Sequence, residues 1–288
     1  MVVARFRRHV AVESSSGTQS LCVIRGRTLK PLVGDDVLVE RNDDGTRFIA
    51  GLMPRRTTLT RIDSRGACEA VAANVTQLLI VAAAEPPPDP FLIDRYLVAA
   101  ELMGAKAAVI VNKGDLLETE PALLGQYRAI GYPALVTSVT SGAGLEALAA
   151  AMAGERSVMV GQSGVGKSSL GNALLGADAR ATGELTAKGR QGRHTTTTAS
   201  LSRLPNAGEL IDSPGVRGYA PYIETGNEVA HGFRELRAHA GRCRFDDCAH
   251  RAEPGCAIKA AVEAGAIAAA RYASYAQLRA LVESLRLR

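Results

Sequence analysis

The chain has 288 residues, 34 Lys and Arg against 29 Asp and Glu, and a formal net charge of +5. A hydrophobic fraction of 47% with 22% charged residues is a globular balance; it excludes wholesale disorder and leaves room for one large or about two to three smaller domains. Aromatic residues make up 4%, with no Trp, which excludes an RNA reader built mainly on stacked rings.

Residues 1 to about 62 read as β. Short apolar stretches at Cys22–Ile24, Val37–Val39 and Phe48–Ala50 are separated by turn signals at Ser14–Gly17, Gly34–Asp36 and Asn42–Gly45. Regularly spaced short strands of this kind predict a small barrel, of the OB type if five strands close. From about residue 70 strands alternate with helices. Val75–Ala83 is a near-continuous apolar run, as a strand buried on both faces requires. Helices are expected over Phe91–Met103, Ala122–Ile130 and Leu145–Met152, with strands at Ala107–Val111, Ala134–Thr137 and Val158–Val160. The alternation predicts an α/β domain with a mainly parallel sheet. Beyond Thr225 the chain turns helical, passes a cysteine cluster and ends in helices expected at Ala257–Ala270 and Tyr275–Leu287. Apolar runs such as Leu78–Ala84 are too short to span a bilayer, and no signal-type segment follows the basic start, so a cytoplasmic protein is expected.

Chemistry enters at Gly161-Gln162-Ser163-Gly164-Val165-Gly166-Lys167-Ser168. This is the G-x-x-x-x-G-K-[ST] phosphate loop, set between a predicted strand and a predicted helix. Glycines let backbone N–H groups curl round phosphates, and the helix N-terminus adds positive potential. Lys167 suits the β- and γ-phosphates, Ser168 suits Mg²⁺, and Ser169 continues the same turn. The chain holds only six Lys against 28 Arg, so a Lys here favours a role that needs a compact ammonium. Asn112-Lys113-Gly114-Asp115 follows a predicted strand and fits N-K-x-D, in which the Asp115 carboxylate accepts the N1–H and N2–H of guanine. An ATPase would require that match to be coincidental. Ser138, in Ser138-Val-Thr140, stands where an S-A-K loop supports the base, although only Ser agrees. Downstream, Asp212-Ser-Pro-Gly215 fits D-x-x-G, with Asp212 toward Mg²⁺ and the Gly215 amide toward the γ-phosphate. Between them Gly189–Thr198 is a polar stretch with four consecutive Thr, the composition of a nucleotide-sensing switch.

The order of these motifs is unusual. Base motifs precede the phosphate loop, and D-x-x-G comes last, so the domain reads as circularly permuted. Its C-terminal exit then lies just beyond Asp212–Gly215, where hydrolysis can move an attached domain. That segment contains Cys243, Cys248, His250 and Cys256, spaced C-x₄-C-x-H-x₅-C. Three thiolates and an imidazole form a closed tetrahedral set suited to structural Zn²⁺; buried cysteines in a small apolar cluster are the simpler alternative. In a reducing compartment disulfides are not expected, and the odd total of five Cys agrees.

Together these features resemble the ribosome small-subunit-dependent GTPases, the RsgA family. The resemblance spans essentially the whole chain, through the β-rich start, the permuted order, Gly192-Arg-His-Thr-Thr-Thr197 and the cysteine spacing. It implies an OB domain (1–62), a permuted GTPase core (63–225) and a helical zinc domain (226–288). It also implies contact of both flanking domains with ribosomal RNA, action late in small-subunit maturation, and slow hydrolysis that the small subunit stimulates. A monomer is expected. Val216 occupies the position after D-x-x-G where Ras-type enzymes carry a water-orienting Gln, so another group or the partner must serve. His194 is the local candidate, with Thr196 beside it in the Thr run. Val216 also leaves open a non-catalytic rRNA-binding module that uses GTP as a structural ligand. Charge follows the proposed division: net +5 in 1–62, −3 in 63–240 and +3 in 241–288. The excess sits on the two flanking parts, where Arg-to-phosphate contacts would be salt-sensitive.

Overall fold

The computed structural model describes residues 1–286 apart from residues 27, 64, 177–198 and 213–220. Strand β1 (Val2–Arg5) pairs with β2 (His9–Glu13), and β2 with β3 (Gln19–Val23), all antiparallel. Strand β5 (Arg47–Leu52) lies parallel to β3 at Val23 and Phe48 and antiparallel to β4 (Val37–Arg41). The ring closes where Val2 N donates to Asp35 O (2.8 Å) and Gly34 N donates to Val2 O (2.9 Å). This is the OB-like barrel, filled by Val2, Val10, Val12, Cys22 and Ile49. Buried Asp35 clamps the closure: it accepts from Leu32 N (2.7 Å) and takes the Arg55 guanidinium in a two-point contact at 2.7 and 2.9 Å.

A hairpin of β6 (Thr58–Ile62) and β7 (Cys68–Ala73) leads into the α/β core, and its Leu59 and Val71 pack in the same cluster as Leu78 and Val109. Strands β8 (Gln77–Ala83), β9 (Lys106–Asn112), β10 (Ala134–Val136), β11 (Arg156–Val160) and β13 (Glu209–Asp212) run parallel in the order β10-β9-β8-β11-β13. All seven residues of β8 are buried, as its central place demands. Strand β12 (Ala199–Arg203) is antiparallel to β13 and, on its other edge, to β1. Barrel and core therefore share one eleven-stranded sheet. That continuity is invisible in the hydrophobic pattern, because β1 and β12 are almost 200 residues apart in sequence.

Helix α1 (Pro90–Met103) starts where Asp89 accepts from Phe91 N (3.0 Å) and Leu92 N (3.3 Å), has Pro at its first position and stops at left-handed Gly104. Ile93, Tyr96, Leu97 and Ala100 face the sheet, while Val98 faces the C-terminal helices. Helices α2 (Ala122–Ala129), α3 (Leu145–Met152) and α4 (Lys167–Leu175) complete the core.

The C-terminal helices are α5 (Gly226–His231), α6 (Arg234–Ala240), α7 (Ala257–Glu263) and α8 (Ala269–Arg286). Thr225 and Glu228 form a capping box at the start of α5. The stretch expected as one helix, Ala257–Ala270, is broken instead. Gly265 adopts φ 75° and Ile267 turns into the core, so α7 ends at Glu263 and α8 starts six residues before Tyr275. An ion cluster fixes these helices to α1: buried Arg271 pairs with buried Asp94, and its Nε lies 2.6 Å from Glu235. Burial pushes the Asp94 carboxyl above its usual range, against the pull of Arg271, Ser274 and Tyr127. Removing one partner of such a buried pair typically costs about 3–5 kcal/mol.

Candidate functional site

The phosphate-loop residues lie at the C-terminal end of the parallel strands, residues 161–166 between β11 and α4 and Lys167, Ser168 and Ser169 in the first turn of α4, where an open sheet leaves a crevice. Gly161 (φ 141°) passes so close to β8 that a Cβ would stand 2.0 Å from Val81 O. Gly166 (φ 89°) caps α4 and a Cβ there would stand 2.3 Å from Asn112 Nδ2. Both positions therefore admit only glycine. Buried Val165 and Leu170 anchor the loop in the core, whereas Ser163, Gly164, Ser168 and Ser169 are exposed. The Lys167 ammonium lies over the loop, donating to Gly161 O (2.8 Å) and Gln162 O (2.5 Å).

The base motif is built against this loop. Asn112 ends β9 with 3% exposure. Its Nδ2 donates to Val165 O (2.9 Å), and its Oδ1 accepts from the Thr137 hydroxyl (3.2 Å). Lys113 adopts φ 57° and reverses the chain; its Nζ donates to Glu85 O (2.6 Å). Gly114 opens the short 3₁₀ turn Gly114–Leu116 and its N donates to Thr137 O (2.9 Å). A side chain on Gly114 would strike Val136 Cγ1 at 2.5 Å. The turn leaves Asp115 exposed, and the Ser138 hydroxyl donates to Asp115 Oδ1 at 2.5 Å. Ser138 is itself buried and accepts from Ser141 N (3.2 Å), so its orientation is set. The motif pattern passed over Thr137 and Glu85; their signal is position, each lying just beyond the end of a strand of the parallel sheet.

Asp212 ends β13 and is exposed at the same edge of the sheet. His194, Thr196 and Gly215, like Val216 and the Thr run, lie outside the described residues.

The second site is in the C-terminal helices. Cys243, Cys248, His250 and Cys256 each offer one ligand atom, all within 4.8 Å of one another. His250 Nδ1 is 3.4 Å from Cys243 Sγ and 3.6 Å from Cys256 Sγ. Bonds of about 2.3 Å to sulfur and about 2.0–2.1 Å to nitrogen in a tetrahedron set an S···N edge of about 3.5 Å, so donor set and spacing fit one four-coordinate metal ion. His250 holds φ 56°, and the loop is tied down by Tyr272 Oη donating to His250 O (2.7 Å) and Tyr275 Oη to Ala249 O (2.8 Å). Burial holds the His250 imidazole below its usual pKa, which favours the neutral, ligating form. Glu253 accepts from the backbone N of Ala249, Arg251 and Ala252 at 2.8–3.0 Å and fixes the turn between the second and last cysteines. Among the described residues no helix is long and apolar enough to cross a membrane.

The family described as RsgA GTPase matches residues 52–220. The small ribosomal subunit biogenesis GTPase RsgA of Chromohalobacter salexigens is 45% identical over 295 residues, covering 100% of this chain and 86% of that protein. The protein of the same name from Pseudomonas aeruginosa is 44% identical over 285 residues, covering 97% and 84%. Among solved structures, YjeQ from Thermotoga maritima superposes with a TM-score of 0.76 at 32% identity, covering 98% of this chain and 97% of that one. YloQ, described as a circularly permuted GTPase, gives 0.74 at 25% identity, covering 98% and 94%. Near-full-length likeness, permuted motif order and the Cys₃His cluster converge: the chain belongs to the RsgA GTPase family, a family of GTP hydrolases.

Proposed function

We propose that this protein is a GTPase that binds the small ribosomal subunit and acts in its late maturation, hydrolysing GTP to GDP and phosphate under stimulation by the subunit and its rRNA. The observation that carries this reading is the Asn112 carboxamide, which ties the phosphate loop at Val165 to the base turn at Thr137 and so makes one nucleotide site of two motifs. In it Asp115, oriented by Ser138, accepts the two guanine N–H groups, and Lys113 flanks the base. Backbone N–H groups from Gln162 to Ser169 surround the phosphates, with Lys167 supplying positive charge where the β,γ-bridge breaks. Ser168 and Asp212 are the side chains that would hold Mg²⁺, which neutralises developing phosphate charge when bound. Gly215 supplies an amide to the γ-phosphate.

Cys243, Cys248, His250 and Cys256 hold Zn²⁺ in a structural role, since four protein ligands leave no open position. The division into an OB domain (1–62), a GTPase domain (63–225) and a zinc domain (226–288) puts positive charge on both RNA-facing arms. The protein works in the cytoplasm as a monomer.

Because Val216 cannot orient water, His194 is the proposed group, with Thr196 closing over Mg²⁺ and the γ-phosphate. Turnover of His194→Ala with and without small subunits tests this. Loss of stimulation with GTP affinity retained supports the role; equal stimulation of variant and wild type removes His194 from the mechanism. Multiple-turnover phosphate release separates an enzyme from a module that holds GTP as a structural ligand.

A further inference from the structure

Strand β12 has two partners. On one edge it pairs with β13, and on the other with the barrel strand β1. Ser200 lies opposite Asp212 on β13 and opposite Ala4 on β1. A single transverse row, Ala4–Ser200–Asp212, therefore joins the barrel to the carboxylate at the nucleotide edge of the sheet. Two strand spacings separate its ends, about 10 Å.

The row sits at one end of the seam, with Arg5 opposite Ala199 beside it. The other end is clasped by charge. Arg203, the last residue of β12, pairs with Glu13, the last residue of β2. The Glu13 side chain is only 9% exposed and also accepts from Gln19 Nε2 (3.1 Å), so the carboxylate is held in place rather than swinging in solvent. Next to this clasp Arg156 pairs with Glu209 (2.7 Å) and donates to Gly34 O (3.0 Å), bonding the base of β11 to the barrel closure.

Beyond the Arg5 end of the seam, the barrel presents exposed arginines. Arg7 and Arg8 form the β1–β2 turn. Arg8 O accepts from Ile24 N (3.1 Å), which brings Arg25 alongside, and Arg25 stacks over Phe48 at 3.8 Å. Arg47 and Arg41 are exposed and paired across β5 and β4 at the same rim. A rim of exposed arginines, one of them held over half-buried Phe48, suits an RNA backbone. The C-terminal helices, by contrast, are fixed to α1 through Arg271 and Asp94.

We propose that the β1–β12 seam is the mechanical link through which RNA seated on the barrel's arginine rim acts on the nucleotide site, with Glu13 and Arg203 as positioning residues that make β12 move with the barrel. Both side chains lie at the end of the seam away from Asp212. RNA that fixes the rim fixes β1; β1 fixes β12; the Ser200 row then fixes the end of β13 that carries Asp212. The inference rests on the reading of this chain as a subunit-stimulated GTPase.

The test uses the full-length, zinc-replete protein. Glu13→Gln, Arg203→Met and the exchanged pair Glu13→Lys with Arg203→Glu are compared with wild type. Basal turnover, stimulated kcat at saturating small subunits, subunit affinity by sedimentation, and amide hydrogen exchange over residues 199–203 are measured. The expected result for each single variant is basal turnover within about twofold of wild type, unchanged subunit affinity, and stimulated kcat lower by about fivefold or more. Subunit binding should slow exchange over 199–203 in wild type but not in the single variants, and the exchanged pair should recover both readouts. Arg7→Ala with Arg8→Ala should instead raise the subunit concentration needed while leaving kcat at saturation intact. If wild type is stimulated and the single variants match it in kcat and in exchange, the seam is not the link. If wild type itself shows no stimulation, the underlying functional reading fails, and this inference with it.

Discussion

Replacing Asn112 with Ala probes the joint between the two loops of the proposed nucleotide site. The substitution removes two hydrogen bonds, at 2.9 and 3.2 Å, in a place where Asn112 is 3% exposed and Thr137 is fully buried. Val165 O loses the side-chain donor that reaches it across 53 residues of sequence. A buried acceptor left without a partner costs about 1–3 kcal/mol, and the lost bond to the rotatable Thr137 hydroxyl adds about 1 kcal/mol. If that cost falls on the nucleotide-competent arrangement, Asn112→Ala weakens binding by about 2–4 kcal/mol, or about 30-fold to 10³-fold. Titration with a fluorescent GDP or GTP analogue reads this directly, and a thermal melt of the free protein separates it from global unfolding. GTP and GDP should lose affinity together, because the two bonds of the joint run within the protein, between the phosphate loop and the base turn, and xanthine nucleotides should gain nothing. Affinity within about twofold of wild type would refute the claim that one carboxamide couples the two loops.

Three other outcomes are expected. Asp115→Asn should lose guanine affinity and gain xanthine affinity, since an amide can donate to the xanthine 2-oxo group; unchanged GTP binding would misplace the base site. Cys256→Ser, or a strong chelator, should release metal and render residues 226–286 protease-sensitive, because α5, α6 and α7 have six or seven residues each and cannot persist without tertiary support; wild-type protease resistance after metal loss would contradict this. Glu155 supplies a pH dependence. Burial raises its pKa, but Lys106 (2.6 Å) and the Thr76 hydroxyl (2.7 Å) outweigh burial and hold it below the usual carboxylate range. Its contribution is therefore present above the unfolded value and is lost as pH falls through the folded one. Glu155→Gln should cost about 1 kcal/mol in urea melts at neutral pH and progressively less as pH falls below the usual carboxylate range; a penalty independent of pH would show that the carboxylate charge is irrelevant.

Much of this molecule can be read from its residues because the chemistry is local. A phosphate loop must follow a buried strand and open a helix, and β11 and α4 flank residues 161–166 as that rule requires. Leu145–Met152 forms a helix with the expected bounds, and the strand before Asn112 ends within one residue of its expected limit. Reading fails where the determinant is not local. Ala257–Ala270 is Ala-rich on both sides of Gly265, which masks the break that Gly265 makes at positive φ and that Ile267 fixes by packing into the corner. Thr137 is ordinary in sequence and acquires its role only when β10 lies beside β9. Nothing in a hydrophobic pattern shows that β1 will pair with β12, or that Arg271 will be buried against Asp94 on a helix 177 residues earlier. Such pairings arise from tertiary packing, which selects among many possible partners for a short strand or a lone arginine.

On the reading proposed above, this fold is a nucleotide switch read by the small ribosomal subunit. The most direct test of that reading is multiple-turnover GTP hydrolysis measured with purified small subunits, with large subunits, and with neither. Turnover should be slow alone and with large subunits, and small subunits should accelerate it toward the range of about 10³–10⁵-fold that partner-assisted GTPases reach. Equal turnover in all three conditions would contradict the reading.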